Sequence, residues 1–224
     1  MNKFVNIVLL ILAIPTLGFA LLIGFDLPIE LLKISGANFE YTLEVFSILA
    51  GMFGLLGIRR IIRRWTGVNL VSKVEKYQWN EPMDKARTNQ AVMYLNIEAI
   101  FHAAFALGIY MLTPLSWPLV ITLLILAFEH FLFGWIGKSR KLFRVGVTKN
   151  AVVFSDRDTK IAYFSGLRQI SVQQQTLYFD YIEELQISFP SIAISPKDRN
   201  SFRTAVENNV DRDKVYFAES FKDF

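Results

Sequence analysis

Two histidines occur in this 224-residue chain, and each lies in an apolar stretch within a turn of a carboxylate. Glu98 stands four residues before His102, so on a helix both face the same side. Glu129 directly precedes His130. Imidazole changes charge near neutral pH, and ionisable groups in apolar helices mark function by default. Three arrangements follow from these residue types. They could form a Glu–His hydrogen-bond clamp between helices, a proton or ion relay, or a site for a divalent metal such as zinc, manganese or iron. Spacing constrains the last: Glu98-x-x-x-His102 is not the Glu-x-x-His step of di-iron bundles. Adjacent Glu129 and His130 also point about 100° apart on a helix, which keeps both from one centre. The three readings stay open.

A second group, Arg59, Arg60, Arg63 and Arg64 followed by Trp65, suits contact with anionic lipid headgroups, at about 1 kcal/mol per basic residue. The alternative is plain charge that fixes topology. Enzyme signatures are missing: the chain has no P-loop, GxGxxG, GxSxG or HExxH, so no catalytic residue is assigned and a non-enzymatic protein is expected. No cysteine is present, which excludes disulfide scaffolds and thiolate metal sites.

The elements that must hold these groups read as membrane helices. Hydrophobic residues make up 53% of the chain and charged ones 20%, and the apolar residues are gathered into four runs over 4–25, 45–62, 91–113 and 116–137. A span needs roughly 20 apolar residues to cross a core of about 30 Å. The first run, interrupted by Pro15, is longer than the apolar part of a signal peptide and follows only Lys3, so an uncleaved helix is expected. Positive residues collect between the second and third runs and after the fourth, while the first connection carries Asp26, Glu30, Glu40 and Glu44 against Lys33. Positive loops stay inside. The expectation is therefore a multi-pass protein of the bacterial cytoplasmic (inner) membrane with both termini cytoplasmic. Ser47, Ala50, Gly51, Gly54 and Gly57 form a small-residue face that suits close helix packing or a dimer contact.

After residue 140 the pattern changes. Short β-branched and aromatic runs cover 142–148, 151–155, 160–164, 167–173, 176–181, 184–189 and 191–195, with polar breaks between them. A helix then starts near Ser195 or Asp198, with Phe202, Ala205, Val206 and Val210 as its apolar stripe. Residues 1–140 carry 12 basic and 9 acidic residues and 141–224 carry 12 and 11, so the C-terminal part has no basic bias toward nucleic acid. The fold class expected is α+β: a four-helix transmembrane domain over 1–140, then a cytoplasmic small β-barrel with a C-terminal helix over 141–224.

The opening RVGVTKNAVVFSD, the KIAYFSGLRQI hairpin and the closing ISPKDRNSFRTAVENN resemble the bacterial pleckstrin-homology-like domains, in particular the YcxB-like group. Phe164, Leu167 and Ile170 match the family's aromatic-plus-Ile step. Asp156-Arg157-Asp158 stands where the family's first hairpin usually has a glycine. The resemblance implies a binding or regulatory module without catalytic residues or a resident cofactor. Expected partners are membrane lipid and a protein or a second copy of the chain. The leading expectation is a scaffold or regulator of a membrane process, and the alternative is small ion or proton transport through Glu98, His102, Glu129 and His130.

Overall fold

The computed structural model describes residues 2–29, 33–182, 185–211 and 213–224. The expected charge at Glu30 and the first residue of the 184–189 run lie outside the described residues. The chain opens with helix α1 (Asn2–Gly24) and a short ladder of β1 (Pro28–Ile29) with β2 (Ile34–Ser35). Helix α2 (Thr42–Val71), strand β3 (Trp79–Pro82), α3 (Lys85–Leu112) and α4 (Trp117–Ser139) follow. Then come β4 (Arg144–Val147), β5 (Ala151–Ser155), β6 (Thr159–Tyr163), β7 (Leu167–Gln173), β8 (Thr176–Tyr181) and β9 (Gln186–Pro190). Helix α5 (Arg199–Glu207), β10 (Tyr216–Phe217) and the single turn α6 (Glu219–Lys222) end the chain. This is an α+β architecture with two compact units. One comprises Met1–Ile62 and Leu95–Phe133, the other Arg63–Tyr94 and Gly134–Phe224.

Four helices are long and apolar enough to cross a membrane. Their buried positions recur every three or four residues, the helical period. On α2 the inward stripe runs Phe46, Ala50, Phe53, Gly57, then Arg64, Val68 and Val71. On α3 it includes Ala91, Leu95, Ala106 and Ile109, and on α4 Leu119, Leu123, Leu126, His130 and Phe133. In the first unit Phe46, Phe53, Ile109, Leu119 and Leu123 form the packed centre. Phe19 of α1 leans on Phe46 with ring centroids 5.2 Å apart. Gly57 leaves room for the Leu126 side chain, so this part of the small-residue face packs within the chain. Helix α2 continues nine residues beyond the apolar run that ends at 62. A hydropathy window marks where apolarity stops, whereas the helix continues because its polar last turns still carry Val68 and Val71 on the buried side.

The second unit holds two four-stranded sheets, ordered β3-β4-β5-β6 and β10-β7-β8-β9. All their ladders are antiparallel except β10 on β7. Their inner faces meet in stacked aromatics: Phe154 of β5 lies 5.4 Å from Phe189 of β9, which also leans on Phe179 of β8. The expected small barrel is corrected here, since among the described residues no ladder joins the two sheets and they do not close. At the β6–β7 connection Gly166 takes a φ of +75°, the left-handed region open to glycine, and the chain passes from one sheet to the other.

Two further expectations change. The 191–195 run forms a 3-10 turn over Ser191–Ala193 rather than a strand. Pro190 and Pro196 bracket it, and a proline cannot donate to a ladder. In addition, β3 lies in what reads as the connection between the second and third apolar runs, yet it pairs along its whole length with β4, Trp79 opposite Val147 through Pro82 opposite Arg144. Helix α5 packs beside it: Trp79 Nε1 donates to Ser201 Oγ at 2.9 Å, and its ring meets Phe202 edge-on. Phe202 and Val206 are buried as the stripe requires, while Asp198 occupies the cap position without a side-chain cap bond.

Candidate functional site

The polar residues of the long helices fall on the inward stripes. Glu98 and His102 continue the α3 series Ala91, Leu95 toward Ala106 and Ile109, and Arg60 sits between Gly57 and Arg64 on α2. Periodicity therefore turns them toward one another. Arg60 Nη2 donates to Glu98 Oε2 at 2.7 Å, with side chains 13% and 24% exposed. His130 Nε2 lies 3.2 Å from the same oxygen, within ion-pair distance. One carboxylate thus ties α2, α3 and α4 together.

The two imidazoles are oriented from their own helices. His102 Nδ1 donates to the Glu98 carbonyl at 2.7 Å, and His130 Nδ1 donates to the Leu126 carbonyl at 2.5 Å. A carbonyl only accepts, so each Nδ1 carries its proton. The rings lie 5.1 Å apart at an angle of 33°. With Nδ1–H committed, His130 Nε2 presents either a second proton or a lone pair to Glu98. Glu129 is oriented differently: its Oε2 is 3.5 Å from His130 Nδ1, on the other side of the ring from Glu98.

Glu98, His102 and His130 thus come together, Glu129 stands beside His130, and Arg60 joins them. The sequence groups Arg60 with the headgroup cluster, and in the structure its guanidinium pairs with Glu98. The signal was present: in the series 46, 50, 53, 57, 60, 64, 68, 71, Arg60 and Arg64 continue the buried stripe, whereas Arg59 and Arg63 fall off it. Arg64 is only 2% exposed, and its Nε donates to the Arg157 carbonyl at 3.2 Å. Arg63 reaches Asp158 at 3.7 Å, Trp65 is half-buried, and Arg59 is exposed. The Asp156-Arg157-Asp158 turn between β5 and β6 is where these arginines dock. Arg87 of α3 completes the set by donating to Asp156, in a pair whose side chains are 11% and 5% exposed.

Among the described residues, no group of three or more His, Cys, Asp or Glu side chains is arranged to hold a metal ion. Elsewhere in the second unit, Asn80 of β3 closes the end of α2 by donating to the Val71 carbonyl at 2.7 Å and accepts from Arg144 Nε at 2.6 Å. Burial holds the Arg144 guanidinium below its ordinary value and pushes the nearby Tyr77 hydroxyl above its own.

Around Arg60, Glu98 and His102 opens a cavity of about 390 Å³, walled by apolar side chains from all four long helices. Comparison with protein-family models, with curated proteins and with solved structures returns no match to this chain.

Proposed function

We propose that this chain is a four-span protein of a bacterial cytoplasmic membrane, with both termini cytoplasmic, acting as a non-enzymatic scaffold or regulator. Its second unit serves as a pleckstrin-homology-like module that binds a protein partner or another copy of the chain. The observation that carries this reading is the Arg60–Glu98–His130 contact, in which an Arg–Glu ion pair and a histidine from three helices meet on their buried stripes. Charges spent on one another hold a bundle together. A conducting path needs them spaced along a hydrated route.

Membrane residence is supported by apolar side chains left bare on the helices, among them Ile14, Leu55, Phe101 and Met111. A water-exposed surface rarely carries so much contiguous apolar area. The charge distribution of the connections supports the orientation. Two packed sheets followed by α5 support the module, with Tyr163, Ile182 and Leu185 offering exposed apolar contact on its surface. Arg59, exposed off the inward stripe, is the residue of the basic cluster best suited to a lipid headgroup.

The test is reconstitution of the full chain in liposomes loaded with a pH-sensitive dye, alongside light scattering and partner capture in mild detergent. Defined self-association or a recovered partner, lost on Ile182→Asp, is expected, with proton leak equal to that of empty liposomes. Proton flux that Glu98→Gln abolishes would establish the relay reading instead. That second reading draws on the His102–His130 ring contact beside Glu98.

A further inference from the structure

We propose that the cavity around Arg60, Glu98 and His102 binds a quinol, the reduced and hydroxyl-bearing form of a membrane quinone. The inference rests on the membrane reading above and adds a ligand to the site. At about 390 Å³ the cavity falls in the range of small-molecule sites, and it is apolar but for a polar end where those three residues converge. That pattern selects an amphiphile.

The polar end then selects the head. Arg60 and Glu98 already neutralise each other, so a carboxylate or phosphate head would bring an uncompensated charge next to Glu98. The head is therefore neutral. His102 has its Nδ1 proton committed to the Glu98 carbonyl, so the neutral ring offers Nε2 as an acceptor and calls for a donor. A hydroxyl supplies that donor, its proton going to histidine. A quinone carbonyl supplies only an acceptor.

The walls select the body. Phe53, Phe101 and Phe105 line the cavity, and aromatic faces stack on a flat ring better than on a saturated chain. At the rim Leu10 and Phe101 are 63% and 71% exposed, which gives an isoprenoid tail an apolar way out into lipid.

Equilibrium binding of a radiolabelled decyl-substituted benzoquinol, held reduced under argon, to the full-length protein in phosphatidylcholine nanodiscs tests this. Empty discs give the background. One saturable site is expected, with the oxidised quinone and the His102→Leu variant each about tenfold weaker, the loss of one hydrogen bond. Ala13→Trp and, separately, Leu10→Trp fill the cavity and should remove binding while the thermal midpoint and monodispersity hold. Non-saturable uptake, wild-type binding by well-folded filled-cavity variants, equal affinity for the two redox forms, or equal competition by diacylglycerol or oleate would each overturn the proposal. Alkaline carbonate extraction of membranes from cells that express the full chain separates the two readings. Release into the supernatant sinks the membrane reading, whereas retention without quinol binding sinks this inference alone.

Discussion

Arg60, Glu98 and His130 show how the energetics of one contact depend on its surroundings. Taking a charge out of water costs several kcal/mol, and a partner at 2.7 Å offsets it only while both are present. Removing one member leaves the other buried and uncompensated. Glu98→Ala and Arg60→Ala are each expected to cost about 3–5 kcal/mol. The double replacement Arg60→Met with Glu98→Leu should recover most of that loss, and thermal midpoints in detergent measure both. A single variant as stable as the wild type would mean that the pair holds nothing together. Tyr181 in the second unit gives a test by pH. Its hydroxyl donates to the Tyr163 carbonyl at 2.7 Å, and burial pushes its pKa from 10 up to about 12. The neutral form is thus favoured in the folded state, so its stabilising contribution is whole below pH 10 and lost as pH rises toward 12. Denaturation midpoints across that interval should fall for the wild type and stay flatter for Tyr181→Phe. At this scale Glu98, His102 and His130 were legible because ionisable residues in apolar runs stand out. Arg60 was not, because four arginines in six positions read as one basic cluster and only helical phase separates the inward pair from the outward pair.

The helices depend on where their small residues fall. Gly67, in the last turns of α2, lies so close to the β5–β6 hairpin that an added Cβ would overlap Thr159 Oγ1 and come within 3.1 Å of Ser155 Oγ. Both hydroxyls belong to a packed turn in which Ser155 Oγ and Thr159 Oγ1 lie 3.0 Å apart, so the contact has little freedom to yield. Gly67→Ala should therefore cost about 1–3 kcal/mol despite the better helix propensity of alanine. Gly54→Ala, whose added carbon would meet Thr122 Cγ2 at an ordinary 3.6 Å, should be close to neutral. The same thermal melt decides between them, and equal losses would mean that helix propensity and not the close approach governs both sites. The apolar runs made the four helices legible, and alternation did the same for β4 to β8. Strand β3 was hidden because Trp79-Asn80-Glu81-Pro82 is short, carries a charge and ends in proline, and its reason for being a strand is the β4 edge it covers.

For the whole molecule, the proposed orientation can be read with thiol chemistry, because the natural chain has no cysteine to interfere. Ala37→Cys in the first connection and Lys149→Cys in the β4–β5 turn are both exposed. In intact cells a membrane-impermeant maleimide should label the first and spare the second, and lysis should make both react. Labelling of Lys149→Cys in intact cells would invert the topology and remove the cytoplasmic module from the proposal. The α+β class was legible from the change of period after residue 140. The two-sheet arrangement was not, since whether strands close on themselves depends on pairings that alternation alone does not specify.

Strand β3 also sets the order of events during synthesis. It leaves the ribosome before α3 and α4 exist, while β4, its only ladder partner among the described residues, is made after both. Until then Trp79–Pro82 has no sheet to join, and afterwards a sheet without it would present β4 as a bare edge, a ready template for intermolecular pairing. The C-terminal strands are therefore not a cassette that can be transplanted onto another anchor by cutting near residue 141. A gene split there should yield folded, membrane-inserted protein only when the two halves are expressed together, with the N-terminal half bringing the missing strand to the sheet.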